Sequence, residues 1–169
     1  MIFVSVGTQK FSFERLLKKI DNLVKKGFIQ EEVFAQIGYS NYVPENYLYK
    51  EFLSEELFNQ KLKACNILIT HGGVGTITKA LQLKKKVLIV PRMKKYYEHV
   101  DDHQMEIAIA FQNRNFALCC ENINELDKYI LKIQEWDFSK YFFSYEGITQ
   151  CVKKFILESE EKQANESRR

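Results

Sequence analysis

An α/β domain built on a mostly parallel sheet is the fold this chain predicts, and three observations carry the prediction. Short apolar runs rich in branched residues recur at positions 2–6, 33–37, 67–69 and 87–90. Each is too short for a buried helix and lacks the alternation of a half-exposed strand, as buried parallel strands do. Between them lie segments with apolar residues at helical spacing, and glycine-bearing turns follow the first run and the run at 67. Strands alternating with helices give a sheet covered on its faces by helices. A length of 169 residues is enough for one domain with a full core and small for two.

The elements follow in order. Residues 2–6 read as a strand that Gly7-Thr8-Gln9 breaks, and a helix over 13–26 carries Phe13, Leu16, Leu17, Ile20, Leu23 and Val24 on one face. Ser12 is its expected N-cap and Gly27 its C′ residue. A second strand covers 32–38, and a tyrosine-rich polar loop covers 39–46, where Pro44 excludes a central strand. A third, more amphipathic strand is expected at 47–53. Ser54 followed by Glu55 and Glu56 opens a helix to about residue 64, with acid where the helix dipole favours it. The strand at 67 feeds a helix over about 76–83, whose Lys84-Lys85-Lys86 end reads as solvated and dipole-favoured. Pro91 closes a strand at 87–90, and the long charged loop 92–99 suits a mobile flap over a site. A helix over 100–113 starting near Asp101 or Asp102, a strand at 116–119 and a helix over 122–133 come next. An aromatic, irregular stretch at 136–145 precedes a helix at 147–157. The chain is therefore divided into a domain at 1–157 and a polar tail at 158–169 that is expected to be disordered.

Composition bounds the function classes. A formal charge of +3 without a basic stripe of interleaved aromatics argues against nucleic acid as a partner. Four cysteines at 65, 119, 120 and 151 have neither zinc spacing nor a CxxC pattern, so a reducing, cytoplasmic setting is expected. The chain opens directly on a strand, with no signal-peptide pattern, and no apolar run approaches the ~20 residues of a membrane span. Thirteen phenylalanines and nine tyrosines point to a partly apolar surface that a partner covers.

The stretch Thr70-His71-Gly72-Gly73-Val74-Gly75-Thr76 carries the chemistry. After a strand and at a helix start, free N–H groups and the helix dipole attract an anion, and missing Cβ atoms let a phosphate approach the backbone. Thr76 adds a hydroxyl and His71 an imidazole. Gly7 and Thr8 form a second such loop after the first strand. The order GG-x-G is not a dinucleotide fingerprint, and no Gly-Lys-Ser/Thr closes a Walker loop. A dehydrogenase module is disfavoured because Gly7-Thr8-Gln9-Lys10 lacks the required glycines. A second polar cluster, Glu98-His99-Val100-Asp101-Asp102-His103-Gln104, follows the strand at 87–90. In an open parallel sheet, loops at the carboxyl ends of adjacent strands converge on one crevice.

These blocks, together with Phe3-Val4-Ser5-Val6-Gly7-Thr8 and Val90-Pro91-Arg92, resemble the C-terminal, donor-binding half of GT-B glycosyltransferases of family 28. That half is a single Rossmann-like domain. The likeness is nearest to the small donor-binding subunits of split bacterial capsule and exopolysaccharide transferases. It extends to the small subunit of the two-part eukaryotic transferase that adds N-acetylglucosamine to a dolichol-linked sugar. The resemblance implies that Gly7 and Thr8 border the diphosphate, and that His71, Gly72, Gly73, Gly75 and Thr76 hold it. It implies that the backbone at Phe52 and Leu53 reads uracil. It also implies that His103 and Gln104 contact donor-sugar hydroxyls, with Asp102 orienting them and Glu98 and His99 as further candidates.

The implied activity is that of an inverting hexosyltransferase taking a UDP-sugar donor, with neither cofactor nor metal. Its acceptor would be a lipid-linked saccharide, and its partner a membrane-associated acceptor-binding subunit that supplies the base and recruits this chain to the inner face of the membrane. The sequence departs from the family at Lys79, Lys84 and Lys86, where a ribose-binding glutamate and then Gly and Pro are usual. A lysine donates to a ribose oxygen but accepts neither hydroxyl proton. A non-catalytic nucleotide-sugar-binding regulatory subunit is the alternative, and an interaction scaffold without chemistry is a third.

Overall fold

The branched runs pair into one six-stranded, all-parallel sheet. The computed structural model describes residues 1–142. Strands β1 (Ile2–Ser5), β2 (Val33–Gln36), β3 (Leu48–Lys50), β4 (Ile67–Thr70), β5 (Lys86–Ile89) and β6 (Leu118–Cys119) lie in the order β3-β2-β1-β4-β5-β6. The chain leaves the sheet centre in one direction from β1 to β3, then returns to β4 beside β1 and proceeds the other way. β1 and β4 are therefore neighbours across the reversal, with Ser5 opposite Thr70, and the loops that follow them open on one crevice.

Alternation within the strands divides the core between two faces. Ile2, Val4, Ile67, Ile69 and Leu88 pack under helix α1 (Glu14–Lys25) and helix α5 (Leu126–Glu135). Phe3, Leu68, Val87 and Ile89 pack under α2 (Glu55–Ala64), α3 (Val74–Gln82) and α4 (His103–Asn113). Cys119 and Cys120 are adjacent in sequence but belong to opposite faces. Both are free, as is Cys65, and burial pushes the thiols of Cys119 and Cys120 up to about 12.

The element order matches the expectation, and the boundaries move for identifiable reasons. Ser12 does not cap α1: Phe13 holds the cap position, and its N–H donates 3.0 Å to Ser40 Oγ in the next loop. Gly27 does end α1 at φ +70°, with Phe28 N–H reaching Leu23 O at 3.0 Å and Gly27 N–H reaching Val24 O at 2.9 Å. α3 begins at Val74, two residues earlier than expected, so Gly75 and Thr76 lie inside its first turn. Its end closes in the same way around Lys84 at φ +55°. The neighbouring lysines are more than a solvated end, since Lys85 Nζ donates to Lys63 O at 2.6 Å and Lys86 Nζ to Gln134 O.

α4 starts at His103 rather than 100, because Asp101 takes the His103 N–H at 3.2 Å and Asp102 takes the Lys94 N–H at 2.8 Å. A short 3₁₀ turn at Ile123–Glu125 precedes α5, and β3 and β6 are shorter than read. The loop at 92–99 is tied down rather than free: Met93 N–H donates 3.2 Å to Glu98 Oε2, and a 3₁₀ turn forms at Lys94–Tyr96. The expected helix at 147–157, the tail, Cys151 and the last part of the aromatic stretch lie outside the described residues. No helix among those described is long and apolar enough to cross a membrane.

The tyrosine-rich loop is organised by one carboxylate, Asp21 of α1. It accepts from Tyr42 OH at 2.6 Å, Glu45 N–H at 3.0 Å and Asn46 N–H at 2.9 Å. Burial acts to raise its pKa, but these hydrogen bonds outweigh burial and hold it below the usual carboxylate value. A depressed folded pKa stabilises the fold above the unfolded value of about 3.9 and ceases to do so as the pH falls through the folded one. Asp21→Ala should cost about 3 kcal/mol at neutral pH. The difference from wild type in urea unfolding should shrink in strong acid.

Candidate functional site

A cleft of about 570 Å³ opens at the crevice between β1 and β4. Its floor comes from Ser5, Gly7, His71 and Gly72, and one wall from Gly73 through Thr76. Helix α3 faces it with its N-terminus and has no acidic side chain in its first turn. The first intrahelical bond runs from Ile77 N–H to Gly73 O at 3.2 Å, so the amides of Val74, Gly75 and Thr76 precede the helix ladder. Together with the dipole they make an anion site.

His71 is wedged into this floor. A Cβ built on Gly7, which sits at φ +80°, would meet His71 Cε1 at 2.5 Å. One on Gly73 would collide with His71 Nε2. A Cβ on Gly72 would lie 2.6 Å from Gln104 Cβ, whereas one on Gly75 would meet nothing within 4 Å. Three of the four glycines therefore make room for protein, and only Gly75 leaves space for a ligand alone. Thr70 Oγ1 donates to Ser5 O at 2.9 Å, so His71 Nδ1, 3.3 Å from that hydroxyl oxygen, is the donor between them. The neutral ring then carries its lone pair on Nε2, between Gly7 and Gly73. Burial, followed by the nearby Arg92 charge, pushes the His71 pKa down to about 4.

The structure gathers most of the expected residues and separates the rest. Gly7, Thr8, Leu53, His71, Gly72, Gly73, Gly75, Thr76, His103 and Gln104 all line the cleft. Gln104 is 2% exposed, and its Oε1 accepts from Gly72 N–H at 3.0 Å and Arg92 N–H at 3.2 Å. It latches the two loops. Leu53 N–H is likewise committed, to Gln36 Oε1 at 3.2 Å. Phe52 stands beside Tyr39, ring centroids 5.0 Å apart, and is not among the lining residues.

Glu98, His99 and Asp102 are also outside the lining. Glu98 is buried, with Arg15 Nε on its Oε1 at 2.7 Å and the Met93 amide on its Oε2. It holds a loop, away from the cleft. Asp102 accepts from the Lys94 amide, and His99 packs on Phe11 with ring centroids 5.5 Å apart. Sequence reasoning missed Ser5, Gln9, Gln36, Glu55, Phe58, Val74 and Ile107, which complete the lining. Glu55 stands at the start of α2, its Oε1 3.5 Å from Lys79 Nζ, so a carboxylate faces the cleft beside that lysine. Ser54 and two acids at a helix start signalled the cap, and nothing local signalled the cleft.

Imidazole chemistry at this floor is testable. In the folded chain His71 should stay neutral down to about pH 4, read from the pH dependence of its ring resonances. The unfolded chain takes up that proton near 6.5, so this residue makes stability fall as pH drops from about 6.5 to about 4. Gly73→Ala should push the ring out of its slot and return its pKa toward 6.5. An unchanged titration in the folded variant would show that the slot does not hold the ring.

Residues 1–142 match the family described as glycosyltransferase family 28 C-terminal domain. The UDP-N-acetylglucosamine transferase subunit ALG13 of Candida albicans is 31% identical over 72 residues, covering 43% of this chain and 23% of that protein. The UDP-N-acetylglucosamine–N-acetylmuramyl-(pentapeptide) pyrophosphoryl-undecaprenol N-acetylglucosamine transferase of Clostridium tetani is 29% identical over 144 residues. That match covers 84% of this chain and 35% of the relative. The chain thus spans about a third or less of these relatives' lengths. The solution structure of ALG13 superposes with a TM-score of 0.60 at 16% identity, over 89% of this chain and 93% of that one. By sequence and by fold, the chain belongs to the glycosyltransferase family 28 C-terminal domains.

Proposed function

We propose that this chain is the donor-binding subunit of a two-component inverting glycosyltransferase that moves a sugar from a UDP-sugar to a lipid-linked saccharide. The observation that carries the reading is the cleft at the β1/β4 reversal, where the α3 N-terminus presents free amides without an acidic side chain to neutralise them. A nucleoside diphosphate gains negative charge as it leaves the anomeric carbon. The amides of Val74 to Thr76 and the helix dipole are fixed where that charge grows, so the stabilisation requires no reorganisation. The acceptor hydroxyl needs a base. The cleft's one imidazole slotted at the diphosphate, His71, is held neutral by burial, but it serves the leaving-group side, and the base is assigned to a partner chain.

Both curated relatives are named for UDP-N-acetylglucosamine transfer, which makes UDP-N-acetylglucosamine the first donor to test. One of them is named as a subunit, in keeping with a hexosyltransferase completed by a membrane-associated partner at the inner face of the membrane. A capsule or exopolysaccharide setting rests on the sequence resemblance alone. The regulatory alternative draws on Lys79. Against it, Glu55 keeps a carboxylate at the cleft within 3.5 Å of that lysine, able to accept from ribose hydroxyls as lysine cannot.

Two experiments test the proposal. Gly75→Val fills space that the protein itself leaves open, so it should weaken UDP binding by about 2 kcal/mol, the scale of lost charge-assisted hydrogen bonds, in a folded variant. Calorimetric affinity equal to wild type would refute the diphosphate site. Assay of the chain with UDP-N-acetylglucosamine and a lipid-linked acceptor should show turnover only when the partner is co-expressed. Donor binding without turnover even then would favour the regulatory reading, and full turnover by the isolated chain would remove the need for a partner.

A further inference from the structure

We infer that His99, Asp101 and His103 form a binding site for a divalent transition-metal ion of the zinc class at the rim of the cleft. They occupy every second position from His99 to the first residue of α4, which brings two imidazoles and one carboxylate together. One ligand atom from each lies within 4.8 Å of the others. His99 Nδ1 is 3.1 Å from Asp101 Oδ1, and His103 Nδ1 contacts the same oxygen. Ligand atoms on a tetrahedral ion with bonds of about 2.0–2.1 Å stand about 3.3 Å apart, so His99 and Asp101 are already at coordinating separation.

The donor set selects the class of ion. Two nitrogens and one oxygen suit zinc and its neighbours, whereas magnesium and calcium prefer oxygen ligands. His99 is fixed by burial, its side chain 6% exposed, and its ring is backed by Phe11. Asp101 and His103 are 55% and 41% exposed, which gives the ion a path from solvent and leaves a coordination position open. In the metal-free arrangement both imidazoles direct Nδ1 at one carboxylate oxygen. An ion would take the Nδ1 lone pair of each ring, with the ring proton on Nε2. It would fix His103, which lines the cleft, and bring two positive charges to the rim. The inference stands on these three side chains and is independent of the nucleotide reading.

The test is calorimetric titration of the full chain with zinc chloride alone, without nucleotide, and titration with cobalt(II) followed by its visible absorption. One ion should bind per chain, with a cobalt spectrum of nitrogen and oxygen ligation. Asp101→Asn and His103→Ala should each weaken binding by about tenfold or more. Circular dichroism of the variants should match wild type, since both residues are exposed and the asparagine keeps an oxygen for the His103 N–H. Absence of binding at millimolar ion would overturn the assignment. So would undiminished binding in the double variant, or a thiolate band in the cobalt spectrum, since either would place the ion on other groups.

Discussion

The guanidinium of Arg92 is the interaction on which the cleft depends. The residue is fully buried and donates to Val6 O at 2.7 Å, Phe11 O at 2.8 Å, Ser12 O at 3.1 Å and Glu98 O at 3.2 Å. Burial lowers its pKa to about 10, against the opposing pull of Glu98, so it remains charged at neutral pH. Removing a cation from water is costly unless strong dipoles replace the water. Here four carbonyls do so, and they come from the loops after β1 and β5, on either side of β4. The charge can be accommodated only with both loops in this arrangement, which makes the arrangement specific as well as stable. Phe13, 4.9 Å from the guanidinium, closes the group off further.

From that anchor the site is assembled by local steps. Arg92 N–H and Gly72 N–H share Gln104 Oε1, which ties the glycine turn to the start of α4. Gly7 and Gly73 leave the slot that His71 fills. The glycine-rich turn therefore serves two ends. Most of its glycines allow side chains and backbone of this protein to approach one another, and Gly75 leaves the face of the helix terminus bare.

What was legible in the sequence was local. The strands at 2, 33, 67 and 86 were readable because branched apolar runs have few other uses, and the glycine turn because its chemistry lies within seven residues. Helix starts moved for reasons of tertiary or local bonding, as where Ser40 takes the Phe13 N–H and Asp101 the His103 N–H. Arg92 sits in a motif that drew notice, yet three of its four carbonyl partners lie eighty or more residues away, and no periodicity encodes such a pairing. Glu98 and His99 are polar residues beside a binding loop, and sequence alone cannot separate those that face a ligand from those that hold the loop. A buried carboxylate that holds Arg15 and the Met93 amide, outside the cleft lining, belongs to the second kind.

The two margins of the sheet carry a consequence for how this chain meets other proteins. One margin is β3, three exposed residues long, and the other is β6, two residues long. An incoming strand would find too few backbone donors and acceptors to zip onto either. Among the described residues, then, side chains on helices and loops, and not the backbone of a sheet margin, are what this surface offers to another protein.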